Sequence, residues 1–241
     1  MILRAYLPKF LTALFGGIFV ALGILTFGDS TLFDRLFFGI LIFTAIICKK
    51  NLNVIGIVLI IAIHQILAES AWFLLHKGDI TSPFFIGILF YSVAFYAYCK
   101  FRHDPASKLL LVSLIIALAS ELYWFIENKN SAYLHWYVMV LIINLLTRHF
   151  IFLRVSYTES YFPKMAESIN LDWHIYKLNA LAIVVQTANI LEYSFRRVLD
   201  FSELLIVYNL YSYIMQAIST YTIFIIFHES YKLLIPKLFR A

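Results

Sequence analysis

Eight stretches of mostly apolar residues divide this chain, and charged residues, glycine, proline and asparagine separate one stretch from the next. The stretches lie near residues 10–27, 33–48, 54–75, 83–99, 109–127, 133–153, 174–195 and 203–227. A helix of about 20 apolar residues crosses the hydrocarbon core of a bilayer. Each stretch therefore predicts one transmembrane α-helix, about eight in all.

The composition favours a membrane protein over a water-soluble one. Hydrophobic residues occupy 62% of the 241 positions, charged residues occupy 14%, and the mean hydropathy is +0.84. Soluble domains carry about 25% charged residues, and a soluble fold could not bury this much apolar surface. We expect an all-α integral membrane protein in which residues 1–241 form one polytopic transmembrane domain.

The first apolar stretch follows Arg4 and Lys9, as the apolar part of a signal peptide would. It is longer than the roughly 7–15 apolar residues of a signal peptide, and no small-residue cleavage site follows before Asp29. We expect a membrane helix there.

The charges of the connecting segments predict the orientation of the chain. If the N-terminus is cytoplasmic, 14 of the 19 Lys and Arg residues lie in cytoplasmic segments. The other five are Arg35, Lys77, Lys129, Arg196 and Arg197. Because cytoplasmic loops are enriched in positive charge, we expect both termini in the cytoplasm, with Cys48 and Cys99 on the same side. The net charge of +5 is spread over loops without a basic run, so we expect no nucleic acid partner.

Most connections are about 4–9 residues long, which predicts antiparallel helical hairpins. The exception is the predicted cytoplasmic loop at residues 156–173, which mixes aromatic and charged residues and contains Pro163. This composition predicts either an interfacial segment at the lipid headgroups or a docking surface for a cytoplasmic protein partner.

A weak internal repeat relates two of the predicted hairpins. The letters FFGIL at residues 37–41 precede Cys48, and FFIGIL at residues 84–89 precedes Cys99. The pattern Glu-x-x-Trp-Phe occurs at residues 69–73 and again at 121–125. Each repeat would contain two spans, so the pattern predicts parallel hairpin repeats.

Three carboxylates inside predicted spans are the main candidates for function, because a charge at the middle of a membrane helix costs about 2.5 kcal/mol or more. Glu69, Glu121 and Glu192 lie at similar depths near the outer ends of their spans. The other residues expected at this depth are Gln65, Trp72, Tyr123, Trp124, His135 and Asn209. We expect an outward-facing pocket for a cation, with aromatic walls and with Glu69 as the leading residue. The alternative is that each carboxylate reaches the headgroups or bonds a neighbouring helix.

A second polar cluster is predicted toward the cytoplasm. Asn144 and Arg148 share one face of the sixth span at i, i+4. Asp172 and Glu229 are the candidate counter-charges. The cluster predicts a structural ion pair that locks the helices, and an inner gate is the alternative.

Several enzyme motifs are absent from the sequence, including HExxH and GxSxG. We expect neither a metal site nor a cofactor. The leading hypothesis is a transport protein or ion channel that binds an ion or small cationic solute at the carboxylate layer, including as a homo-oligomer around a pore. The alternative is a non-catalytic membrane sensor or anchoring subunit that acts through residues 156–173. A lipid-modifying enzyme is a third hypothesis. The chain has no Asn-x-Ser/Thr sequon, which fits the inner (plasma) membrane of a bacterium.

Overall fold

The computed structural model describes residues 2–76, 83–127, 134–163, 168–199, 201, 203 and 205–238. Within these ranges it is all-helical, with eight α-helices and no β-strand. Six of the helices are long and apolar enough to cross a membrane. These helices indicate a multi-pass membrane protein in contact with a lipid bilayer.

Each predicted apolar stretch coincides with one helix. The helices are α1 (Ile2–Leu25), α2 (Ser30–Ile47), α3 (Leu52–His76), α4 (Pro83–Lys100), α5 (Ala106–Ile126), α6 (Leu134–Tyr161), α7 (Asn170–Val198) and α8 (Ile206–Leu238). The described residues thus contain a helix at each predicted stretch. The six helices that meet the criteria for a span are α1, α2, α3, α5, α6 and α8.

Local sequence explains where several helices begin. Gly28 adopts a φ of +90° in the turn between α1 and α2, a conformation that favours glycine. The next residue, Asp29, caps α2 by accepting a hydrogen bond from the backbone N–H of Leu32 at 2.9 Å. The side chain of Asn51 does the same for α3, accepting from the N–H groups of Asn53 and Val54.

The segment predicted as a loop at residues 156–173 is helical at both ends. Helix α6 continues to Tyr161, and α7 begins at Asn170. Residues 164–167, which include the predicted contact residue Lys164, lie outside the described residues. Polar residues continue a helix without difficulty once it is nucleated, and hydropathy alone does not reveal such extensions.

The chain divides into two compact units, and α3, α6, α7 and α8 contribute to both. Unit 1 comprises residues 1–62, 151–178 and 215–241, and unit 2 comprises residues 63–150 and 179–214. In unit 1, α1 packs on α8 through aromatic rings, with Phe15 and Phe227 edge to face at 5.0 Å. This contact is close because Gly23 of α1 faces Thr220 of α8 and carries no side chain.

The core of unit 2 is formed by α4, α5, α6 and α7. Two hydroxyl pairs link α5 to α7, with Ser113 bonded to Thr187 at 3.1 Å and Ser120 bonded to Ser194 at 2.9 Å. The pairs are two helical turns apart on each helix. Two turns of α7 therefore pack their hydroxyl groups against α5.

Candidate functional site

Glu121 near the end of α5 and His135 at the start of α6 form a pair of polar side chains. The Nδ1 atom of His135 lies 3.3 Å from Oε1 of Glu121. The histidine side chain is 6% exposed, whereas the glutamate side chain is 24% exposed. Both residues belong to helices that can cross a membrane. The carboxylate can therefore meet a ligand from the surface, while the imidazole ring is held by protein.

Helix α4 supplies the other side of this site. A Cβ atom placed on Gly87 would lie 4.0 Å from Oε2 of Glu121 and 3.9 Å from Nδ1 of His135. The rings of Phe90 and Tyr91 stand edge-on to the His135 ring, with centroids 5.9 and 6.5 Å away. Gly87 therefore packs its backbone close to the Glu121–His135 pair.

The Tyr91 hydroxyl group adds a third polar function. It interacts electrostatically with Glu121, but within the described part of the chain its buried oxygen makes no hydrogen bond of normal length. A carboxylate, an imidazole and a phenol thus meet in an apolar environment. Such a set can exchange protons or bind a small cation, because each group offers an oxygen or nitrogen lone pair.

Glu192 bonds the neighbouring helix α8, which is the alternative arrangement for the carboxylates. Its side chain is buried, and its two carboxylate oxygens accept hydrogen bonds from the backbone N–H groups of Val207 and Tyr208, at 2.6 and 2.8 Å. These N–H groups lie in the first turn of α8, where a helix has unsatisfied donors and a positive dipole. Glu192 therefore caps α8, and both of its oxygens are occupied by this bonding.

The remaining residues of the predicted outer pocket have varied surroundings. Glu69 and Asn209 are exposed. Trp72 is 46% exposed and packs edge to face on Trp136 at 5.4 Å. Trp124 is a core residue against Tyr193. Gln65 and Tyr123 are half-buried. Of the three glutamates, Glu69 is exposed, Glu121 is half-buried, and Glu192 has both oxygens bonded. Glu121 therefore replaces Glu69 as the leading candidate.

Arg148 does form an ion pair, with a partner that the sequence analysis did not consider. Its Nε and Nη2 atoms donate to the two carboxylate oxygens of Asp104 at 2.8 and 2.7 Å. The Oδ1 atom of Asp104 also accepts from the backbone N–H of Ala106, the first residue of α5. Asn144 donates to the carbonyl oxygen of Val140 and to Oε1 of Gln186.

The predicted counter-charges pair with other cations. Asp172 bonds Arg154 of α6 at 2.6 Å, and both side chains are buried. Asp172 also accepts from the backbone N–H of Ile169, and so closes the start of α7. Burial raises the pKa of Asp172, and the bond from Ile169 and the charge of Arg154 partly offset that increase. Glu229 pairs with Lys232.

One site residue that was not predicted, Asp104, lies in a recognisable sequence pattern. Asp104 precedes a proline at the start of an apolar stretch, which is a pattern typical of a helix start. Gly87 and Tyr91 had no such signal, because their proximity to Glu121 depends on how α4 packs against α5. Among the described residues, no group of three or more His, Cys, Asp or Glu side chains is arranged to hold a metal ion.

Comparison with known proteins finds no matching family model, no matching curated protein and no matching solved structure.

Proposed function

We propose that this chain is a multi-pass protein of the inner (plasma) membrane that binds a proton or a small cation at Glu121 and His135 and passes it across the membrane. The proposal includes eight spans and both termini in the cytoplasm. It also includes a homo-oligomeric form in which several copies surround a pore.

The observation that supports this proposal is the Glu121–His135 pair itself. A carboxylate in a membrane helix is costly, and the polar neighbours of this one are a histidine nitrogen at 3.3 Å and the Tyr91 hydroxyl group. One imidazole nitrogen can make only one hydrogen bond, so His135 engages one oxygen of Glu121. The side chain of Glu121 is 24% exposed, which gives a small ligand access to it.

Ion flux into liposomes tests the proposal. Purified protein is reconstituted, and the uptake of H⁺, Na⁺, K⁺ and a small amine is measured under an imposed membrane potential. We expect Glu121→Gln to reduce flux of the transported cation at least tenfold, because the amide carries no charge. Glu69→Gln is the matched control and should retain flux, since Glu69 is exposed and lies outside this pair.

Equal flux in wild type and Glu121→Gln would contradict the proposal. Loss of flux in Glu69→Gln with retention in Glu121→Gln would return the site to the residue that the sequence favoured. Size-exclusion chromatography in detergent shows whether each variant folds.

A second candidate function is a membrane anchor for a cytoplasmic protein. Its support is an exposed aromatic surface in unit 1, where Tyr157 and Tyr161 stack at 5.7 Å and are 63% and 71% exposed. Phe162 and Trp173 are also exposed. Charge reversal at the exposed Glu159 should then reduce recovery of a co-purifying partner. Unchanged recovery of that partner would exclude this role for the surface.

A further inference from the structure

Gln186, in the middle of α7, carries a buried donor group that the preceding site does not use. The residue is fully buried, and its Oε1 accepts a long bond of 3.4 Å from Asn144. Its Nε2 atom has no acceptor at normal hydrogen-bond distance among the residues that the structure describes, and the Tyr211 hydroxyl group is the polar group that interacts with it. An amide nitrogen left without a partner in a protein interior costs about 1–3 kcal/mol. Buried groups of this kind are usually satisfied by an ordered water molecule.

The polar neighbours of Gln186 that the structure shows are uncharged. The Tyr211 hydroxyl group of α8 interacts with the side chain of Gln186. The Tyr137 hydroxyl group of α6 interacts in the same way with Asn189, one turn further along α7. The two tyrosine rings pack edge to face, with centroids 5.8 Å apart. Phenols and amides satisfy both the donors and the acceptors of water.

This polar cluster lies between the Glu121–His135 pair and the Arg148–Asp104 pair of unit 2. Its members are Tyr137, Asn144, Gln186, Asn189 and Tyr211. Helix α6 carries His135 near one end of the cluster and Arg148 near the other, about 20 Å apart at 1.5 Å per residue. Asn144 lies between them on the same helix. One carboxylate stands at each end, Glu121 on His135 and Asp104 on Arg148.

We infer that Gln186 binds water and that the cluster relays protons along α6 and α7 between these two ends. At each step a water or tyrosine oxygen accepts a proton on a lone pair, and the O–H bond to one of its original protons breaks as that proton moves on. The number of protons on each oxygen is unchanged after one passage. The amide groups of Asn144, Gln186 and Asn189 hold the water and keep their own protons. The inference rests on the proposed function, because Glu121 and His135 exchange protons with the relay.

Proton flux in Gln186→Met tests the inference. Methionine matches the length of glutamine and removes both hydrogen-bonding atoms. Proteoliposomes with a trapped pH-sensitive dye receive a potassium diffusion potential from valinomycin, and acidification is followed. We expect proton flux at least tenfold below wild type. Gln216→Met is the matched control, because Gln216 belongs to unit 1, and it should retain flux.

A second measurement separates the inference from the proposed function. Glu121 is labelled with a hydrophobic carbodiimide, which reacts with protonated carboxyl groups in membranes. Gln186→Met should show wild-type labelling of Glu121 together with lost flux. Wild-type proton flux in Gln186→Met, or altered labelling of Glu121, would overturn the inference and leave the site at Glu121 intact. Flux that survives Glu121→Gln would instead overturn the proposed function.

Tyr211→Phe covers the case in which Gln186→Met does not fold. It removes one hydroxyl group of the relay and keeps the ring packing against Tyr137. Proton flux should fall at least tenfold in this variant as well, and flux equal to wild type would overturn the relay. Transport of another cation without proton flux would also contradict the inference.

Discussion

Arg148 and Arg154 lie six residues apart on α6, and each binds a carboxylate that closes the start of another helix. Asp104 bonds both Arg148 and the first N–H group of α5. Asp172 bonds both Arg154 and the N–H group before α7. The attraction between two buried charges often does little more than offset the free energy needed to remove both from water. Here each carboxylate also accepts a hydrogen bond from a backbone N–H group at the start of a helix. Loss of either arginine would therefore weaken both the ion pair and the start of that helix.

Arg148→Lys should destabilise the protein by about 1.5–3 kcal/mol, because lysine keeps the charge but cannot make the two-pronged bond to Asp104. The thermal unfolding midpoint in detergent measures this loss. Arg102→Lys is the matched control, since Arg102 is exposed and lies two residues before Asp104. An unfolding midpoint equal to that of the control would show that a positive charge alone suffices at position 148.

The three glutamates illustrate what the sequence can and cannot predict at this scale. Their depth in the helices was predictable from helix length. Their surroundings were not, because a rotation of one helix about its axis moves a side chain from the surface to the interior. Glu69 is exposed, and Glu192 caps a helix that begins fourteen residues later. Both outcomes depend on packing between helices.

At the scale of the helix, α7 differs most from its predicted character. It carries the buried polar residues Asn179, Gln186, Thr187, Asn189, Glu192 and Ser194. Its apolar stretch predicts a helix, because hydrophobic periodicity is a local property of the sequence. That its polar residues lie against protein could not be predicted, since it depends on the side chains of α5, α6 and α8. Those side chains supply the hydrogen bonds that a lipid environment would withhold.

The contact between α1 and α8 leads to a prediction about packing. A methyl group added at Gly23 would lie 2.7 Å from Oγ1 and 3.0 Å from Cγ2 of Thr220. Gly23→Ala should therefore cost about 1–3 kcal/mol through overpacking. Thr220→Ala removes both crowded atoms, so the double variant should regain most of the stability lost in Gly23→Ala.

Thermal unfolding of the two single variants and the double variant gives the coupling energy. Gly39→Ala is the control, because nothing lies within 4 Å of its added methyl group. This variant should be neutral or slightly stabilised, since alanine favours a helix by up to about 1 kcal/mol over glycine. Strictly additive effects of Gly23→Ala and Thr220→Ala would contradict the close approach of the two helices.

At the scale of the whole molecule, the number and order of the helices followed from the sequence alone. The lengths of several helices did not. Helix α8 has 33 residues and extends about 50 Å, well beyond the roughly 30 Å of a hydrocarbon core. The polar residues at its end carry no apolar signal, so hydropathy placed the end of this helix too early.

The proposed orientation predicts how the two cysteines react. Cys99 is exposed and Cys48 is buried, and both are expected on the cytoplasmic side. A membrane-impermeant maleimide should label the protein in inverted membrane vesicles but not in intact spheroplasts. Cys99→Ser should lose this labelling, whereas Cys48→Ser should keep it. Labelling of Cys99 in spheroplasts would reverse the orientation.

The two arginines of α6 also bear on how the chain is synthesised. Asp104 leaves the ribosome 44 residues before its partner Arg148, whereas Asp172 emerges 18 residues after Arg154. A nascent chain that ends before α6 therefore presents Asp104 to the translocon without its cation. Once α6 has been synthesised, Arg148 can bind Asp104 at the start of α5. Asp172 at the start of α7 is synthesised later and can bind Arg154, which is already present. The sixth helix thus supplies the cation for one helix start that precedes it in the chain and for one that follows it.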